Sequence, residues 1–271
     1  LILDIIYTMD NVRGLRELVP DDSIDLTVTS PPYDNLRTYN GFSFDFEVLA
    51  HELYRVTKPG GVVVWVVGDA TIKGSETGTS FRQALYFKDA VGFNLHDTMI
   101  YKKVGCGATG SNKAYLQSFE YMFVFSKGAP KTVNLLYDRK NKHWNTTGKY
   151  STKTTRKKAN GEIKDERRKP SKEYGRRFNI WEYNHAEIRW NAVRYGFRHP
   201  APFPESLAKD HILSWSNPGD VVLDPFMGSG TTAKMALLND RHYIGFEISD
   251  EYVAIAEERL RQAKTQRGGG R

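Results

Sequence analysis

Asp220-Val-Val-Leu-Asp224-Pro-Phe-Met-Gly228-Ser-Gly230-Thr-Thr-Ala233 is the stretch that decides the fold. An apolar, β-branched run ends in an acid, two glycines make a turn, and a helix is expected from about Thr231 to Leu238. Glycines at such a turn let the backbone approach a ligand, and the helix N-terminus offers free N–H groups. Glu247 follows 23 residues after Asp224, at the end of the next expected strand (242–247), where an acid can grip ribose hydroxyls. The spacing Gly-x-Gly-x-x-Ala also fits a dinucleotide fingerprint, so a nicotinamide-type site is a competing reading. Asp224 argues against it: an acid at the strand tip repels a pyrophosphate and suits a ligand carrying an ammonium or sulfonium group. Any α/β crossover can use glycines at such a turn for purely structural reasons. The conjunction of Asp-Pro-Phe, two glycines, Thr-Thr and a spaced Glu is far more specific.

Working outward, strands and helices alternate. Residues 24–29 read as a strand that ends at Pro31-Pro32. Phe46, Leu49, Leu53 and Val56 follow helical spacing, and Lys58-Pro59-Gly60-Gly61 is expected to stop that helix. Val62 to Val67 is a continuous apolar run, as in a central parallel strand covered on both faces. Residues 81–91 read as helix, and 95–101 and 121–126 as strands. Later, 205–214 and 250–264 read as helices and 220–224 as a strand, before a glycine-rich, frayed tail. This is an α/β pattern with a mostly parallel sheet flanked by helices.

Composition narrows the class. The 271 residues are enough for one or two domains. A single cysteine excludes a disulfide scaffold and a cysteine zinc cluster. His51, His96 and His211 lack metal-ligand spacing, so no metal is expected. Six residues is the longest apolar run, against the roughly 20 of a membrane span. Leu1-Ile2-Leu3-Asp4 lacks both a basic n-region and a Met, so no signal peptide and a trimmed start are expected. These features suit a soluble protein of a reducing compartment.

The net charge of +7 is concentrated. Of 39 basic and 32 acidic residues, 16 and 5 fall in 131–177, so this stretch carries +11 and the remainder −4. A charge run is commonly a solvated loop. Here Tyr137, Trp144, Tyr150 and Tyr174 are interleaved with the basic residues, as on surfaces that stack on bases and grip phosphates.

Thr29-Ser30-Pro31-Pro32-Tyr33 follows directly on an expected strand. Two prolines fix φ twice and leave carbonyls unaccompanied by N–H groups, making a stiff bracket. A rigid turn with a core tyrosine is the plain reading. The chemistry also suits an exocyclic amine on a flat base: Tyr33 to stack, and Ser30 Oγ and the Pro31 carbonyl to accept the amino hydrogens.

With Ser-Pro-Pro-Tyr near one end and Asp-Pro-Phe-Met-Gly-Ser-Gly-Thr-Thr near the other, the chain resembles the amino-methylating DNA methyltransferases that use S-adenosylmethionine. The motif order resembles their β class. Asp10-Asn11 resembles the segment that contacts the cofactor's adenine, although the usual Gly before that Asp is Met9. His199-Pro-Ala-Pro-Phe203-Pro204 resembles the segment that packs over the cofactor. The resemblance covers roughly 3–128 and 178–264, and the basic stretch matches nothing. It implies the methyltransferase fold with a mostly parallel seven-stranded sheet, a circularly permuted motif order and an inserted target-recognition region. The expected division is 1–130, 131–177 and 178–271. It implies Ser30, Pro31, Pro32 and Tyr33 as the catalytic set. The cofactor-binding set is Asp10, Asn11, Phe203, Asp224, Pro225, Phe226, Gly228, Gly230, Thr231 and Glu247.

The implied reaction is methyl transfer from S-adenosylmethionine to an amino nitrogen of a base flipped out of duplex DNA. Ser before Pro-Pro-Tyr leans to cytosine N4, with adenine N6 as the alternative. No Pro-Cys pair exists, and Cys106 has no histidine beside it, so a cysteine-nucleophile C5 mechanism is not expected. A nicotinamide oxidoreductase and a nucleic-acid-binding module without catalysis are the more distant readings, and RNA is a competing substrate. The resemblance places the protein in a bacterial cytoplasm with the nucleoid, or in a nucleus for a eukaryotic source. It admits a homodimer and a cognate restriction endonuclease. Asp69 reads as a site-lining acid or a cap. Asp34, Asn35, Arg37 and Tyr39 read as a closing loop or plain surface. Trp65, Trp181 and Trp190 are expected in packing.

Overall fold

The computed structural model describes residues 1–32, 44–105, 115–142, 144, 153–167, 172–184 and 204–268. The chain divides into two compact units, Leu1–Asn134 with Asn179–Arg271, and Leu135–Phe178. In the first unit the strands are β1 (Ile5–Thr8), β2 (Ile24–Thr29), β3 (Thr57–Val67), β4 (Thr71–Ile72), β5 (Ser75–Glu76), β6 (Asn94–Val104) and β7 (Phe119–Ser126). The second unit holds β8 (Arg139–Lys140), β9 (Lys153–Lys157), β10 (Ile163–Arg167) and β11 (Tyr174–Gly175). The first unit resumes with β12 (Ile180–Asn184), β13 (Val221–Asp224) and β14 (His242–Glu247). Its helices are α1 (Asn11–Leu18), α2 (Phe46–Val56), α3 (Thr79–Leu85), α4 (Glu205–Trp215), α5 (Thr231–Leu238) and α6 (Asp250–Gly268).

Eight strands form one sheet in the order β1-β14-β13-β2-β3-β7-β6-β12. The pairs from β1 through β3 are all parallel. β7 is antiparallel to both β3 and β6, and β12 adds parallel to β6. The expected count of seven strands is thus corrected to eight, because Ile180–Asn184 pairs along the outer edge. Val62–Val67 is central and buried throughout, but it is parallel only towards β2. It begins earlier than expected: a register shift between Ile24 and Leu26 opposite Thr57 and Val62 absorbs Lys58–Gly61 within β3.

Local chemistry explains the helix starts. Asp10 caps α1 by accepting from the Arg13 N–H at 2.9 Å, and Asp45 caps α2 through Val48 at 3.2 Å. The expected helix over 81–91 is α3 followed by a π-helical turn, Tyr86–Val91. Side chains of one sheet face (Val63, Trp65, Phe125, Leu223, Phe246) pack with Leu15, Leu49, Leu53 and Phe87 in a single core. Trp65 is fully buried, and its Nε1 donates to Gln83 Oε1 at 2.9 Å. Asp25 braces the sheet's far end, accepting from Lys58 Nζ and from the Val221 N–H.

In the second unit, β9 and β10 form an antiparallel hairpin and β8 pairs with β11. Arg139 lies 4.4 Å over the Phe178 ring, and Tyr137, Trp144, Tyr174 and Phe178 are exposed.

A close approach joins α1 to the sheet: a Cβ at Gly14 would sit 2.2 Å from the Phe246 ring. Gly14→Ala is therefore expected to destabilise the fold by about 1–3 kcal/mol, read as a lowered midpoint of thermal or denaturant unfolding.

Candidate active site

The strand order reverses between β13 and β2: β13 is followed outward by β14 and β1, and β2 by β3. In open α/β sheets ligands bind outside the carboxyl ends of strands at such a point. The described candidates collect there. Asp224 ends β13, Glu247 ends β14, Asp10 and Asn11 follow β1, and Ser30 follows β2.

Two of the strand ends are joined directly. Thr29 Oγ1 donates to Asp224 Oδ1 at 2.6 Å, across 195 residues of sequence. The Phe226 N–H donates to the same oxygen at 3.0 Å, and Thr232 Oγ1 donates to the Val28 carbonyl at 3.1 Å. Asp224 is 1% exposed. Burial pushes its carboxyl up to about 6. Hydrogen bonding with Thr29, Thr232 and the Phe226 amide pulls the other way, and Glu247 adds a smaller upward push.

The glycine loop is braced on its other side by Glu247. Gly228 donates its N–H to Glu247 Oε2 at 2.9 Å, and Ile248 and Ser249 donate theirs to Oε1 at 3.0 Å each. Gly230 is the N-cap of α5 at φ +78°, and a Cβ there would lie 2.7 Å from the Ala256 Cβ. A side chain at this position is opposed by both conformation and space. Asn11 Nδ2 donates to the Pro225 carbonyl at 3.1 Å, while its buried Oδ1 has no hydrogen-bond partner among the described residues.

Ser30 is half-buried, Pro31 buried and Pro32 half-buried. They leave β2 one residue after the Thr29–Asp224 bond. Tyr33 and Phe203 lie outside the described residues, as do Asp34, Asn35, Arg37, Tyr39, Cys106, Tyr150, Trp190 and the 199–202 segment. Asp69 holds the start of α3: it accepts from the Ser80 N–H at 2.9 Å, from Ser80 Oγ, and from Thr77 Oγ1 at 3.3 Å. Trp181 is buried against the His211 ring at 4.6 Å. His96 meets Trp215, and His51 meets Tyr86. Among the described residues no group of three His, Cys, Asp or Glu could hold a metal ion.

The part played by Thr29 escapes sequence reasoning. A threonine at a strand end is ordinary, and nothing local marks a partner 195 residues away.

A buried acid whose folded pKa exceeds its unfolded value destabilises the fold once pH rises above that window. Here the cost is absent below 3.8, grows between 3.8 and about 6, and is full above. Asp224→Asn keeps the acceptor for Thr29 and Phe226 and removes the charge. It is expected to stabilise the protein at pH 7.5 by about 1–3 kcal/mol, with the gain vanishing below pH 4 in denaturant titrations.

Comparison with known proteins agrees with this geometry. A family model described as DNA methylase matches residues 24–258. The orphan methyltransferase M.BamHII of Bacillus amyloliquefaciens is 62% identical over 248 residues, covering 91% of this chain and 92% of that protein. Among solved structures, the cytosine-N4-specific PvuII DNA methyltransferase superposes with a TM-score of 0.68 at 22% identity, covering 96% of this chain and 89% of that one. The M1.HpyAVI–SAM complex superposes with a TM-score of 0.59 at 22% identity, covering 94% and 98%. The fold, the motif-bearing strand ends and this degree of identity have one reading: the chain belongs to the N6/N4 family of DNA methylases.

Proposed function

We propose that this DNA methyltransferase transfers the methyl group of S-adenosylmethionine to the exocyclic N4 of cytosine, with the base turned out of the DNA stack. The observation that carries the reading is the Thr29–Asp224 hydrogen bond. It sets Ser30-Pro31, which suits an amine, against the glycine loop, which suits a cationic nucleoside.

The residues fit S-adenosylmethionine. Asn11 Oδ1 is a buried acceptor without a partner among the described residues, which a donor on the cofactor would satisfy. Asp224 and Glu247 supply negative charge for a ligand with ammonium and sulfonium centres. The backbone of Pro225, Phe226, Gly228, Gly230 and Thr231 offers a close surface, with Asp10 at the adenine end and Phe203 as the covering ring. When bound, the molecule supplies an electrophilic methyl group on its sulfonium.

The chain's own groups then do two things. Ser30 Oγ and the Pro31 carbonyl each accept one amino hydrogen. This draws the nitrogen lone pair out of conjugation and aims it into the crevice, while Tyr33 stacks on the base. The Pro31–Pro32 link keeps that carbonyl in place, because proline fixes the backbone and contributes no N–H. As the sulfonium is left a neutral thioether, the methylated nitrogen passes one of its two protons through the Ser30–Pro31 contacts to solvent; positioning and electrostatics carry the rate. Cytosine is preferred over adenine because a serine precedes Pro-Pro-Tyr, and adenine N6 is the second reading.

The target-recognition role is assigned to the basic insertion, 131–177, between the catalytic segments 1–130 and 178–271. Its support is the +11 charge and the exposed aromatic residues Tyr137, Trp144 and Tyr174. Because M.BamHII is described as an orphan methyltransferase, the proposal requires no cognate endonuclease.

Incubation with S-adenosylmethionine and mixed-sequence DNA, then digestion and mass spectrometry, is expected to yield N4-methylcytosine. N6-methyladenine would overturn the base, and methylation of RNA alone would overturn the substrate. Ser30→Ala is expected to slow transfer more than tenfold with cofactor affinity little changed. Asp224→Asn is expected to weaken S-adenosylmethionine binding. Wild-type affinity should also fall as pH drops through about 6, where Asp224 takes up a proton that a cationic ligand must displace. Replacing 131–177 by a short linker should abolish steeply salt-dependent DNA binding. Unchanged DNA affinity would remove the insertion from the reaction.

A further inference from the structure

A buried cluster behind the glycine loop has no place in the chemistry above. Arg259 lies on α6 one turn beyond Ala256, and it is 2% exposed. Its Nη1 donates to the Ser229 carbonyl, to Ser229 Oγ at 2.9 Å and to Thr231 Oγ1 at 3.3 Å. Its Nη2 reaches Glu205 Oε1 at 2.7 Å. The same carboxylate oxygen receives Lys234 Nζ from α5 at 2.7 Å, and Lys234 is 6% exposed. Burial pushes the Glu205 carboxyl up, but the Lys234 and Arg259 cations more than offset it and hold it below the usual range.

The cluster joins two stretches of chain that are distant in sequence, the glycine-loop turn and the head of α4. Ser229–Thr231 is the turn of the glycine loop. Glu205 is the first residue of α4 and follows Phe203 by two positions. A planar guanidinium suits this junction because its two ends donate in different directions, one to the turn and one to the carboxylate. A single ammonium nitrogen lacks that fork. The turn has no slack of its own, since Gly230 is pressed against Ala256 on the same helix. Any shift of the Arg259 head group therefore moves the turn relative to α4.

We propose that Arg259 is a positioning residue for cofactor binding: it fixes the Ser229–Thr231 turn against the head of α4 and thereby sets affinity for S-adenosylmethionine without touching it. This rests on reading the glycine loop as the cofactor site, and it is independent of which base is methylated.

The test uses the full-length protein and its Arg259→Met and Arg259→Lys variants. Calorimetric titration with S-adenosylmethionine in the absence of DNA gives Kd. Steady-state assays give kcat and both KM values, and thermal unfolding gives Tm. Arg259→Met is expected to raise Kd and KM for S-adenosylmethionine at least tenfold. Its kcat at saturation should stay within threefold of wild type, with KM for DNA unchanged. Arg259→Lys keeps the charge but not the fork, and is expected to fall between, at threefold or more. A merely structural role would lower Tm and the active fraction and leave Kd unmoved; that result in either variant overturns the proposal. Should the Met variant not fold, the Lys variant decides by the same threshold. Failure of the wild type itself to bind would overturn the site assignment, whereas normal wild-type binding with unmoved variants overturns only the role of Arg259.

Discussion

One hydrogen bond, from Thr29 to Asp224, governs the arrangement of everything around it. β2 and β13 are neighbours in the sheet, yet their chain connections run in opposite directions, the kind of point at which open α/β sheets form a ligand crevice. The hydroxyl of one strand and the carboxylate of the other close the base of that crevice. Ser30 and Pro31 continue from one side, and Pro225 and Phe226 from the other. The bond is short and buried, so solvent does not compete for it, and the two motifs are held in fixed register.

That arrangement keeps an acid where burial opposes its charge. The structure offsets part of the cost with hydroxyl and amide donors and leaves the rest unrelieved. Under the proposed function a cationic ligand would supply the compensating charge that the protein withholds. Glu247 differs. Its carboxylate is already engaged by three backbone N–H groups, so it shapes the loop as well as facing the crevice.

Much of this was legible in the sequence, for identifiable reasons. β2, α2, α5 and β14 coincide with their expected spans, because periodic apolar residues and strong punctuation mark each of them. β1 and β12 were not expected. Each is short, and each becomes a strand only by pairing with a distant partner, β14 or β6. The π-helical turn after α3 leaves no mark in hydrophobic spacing. The candidate site rests on rare local combinations such as Ser-Pro-Pro-Tyr, which are visible in the sequence. Thr29 and Arg259 are common residues whose meaning lies in contacts made across the fold.

The strand order carries a further consequence, for the way the molecule reaches its native state. Among the described residues β1 pairs only with β14, and β2 meets β13 along the edge that faces β1. The two earliest strands therefore flank a gap that only the last quarter of the chain can fill. During synthesis the amino-terminal segment can build its antiparallel half, β3 with β7 and β6, while β2 keeps an open, apolar edge. Pairings of such long sequence separation are slow to form, and unfilled strand edges invite association with other chains. The site is completed in the same late step that closes this edge, so a chain able to assemble the crevice is one that has finished folding.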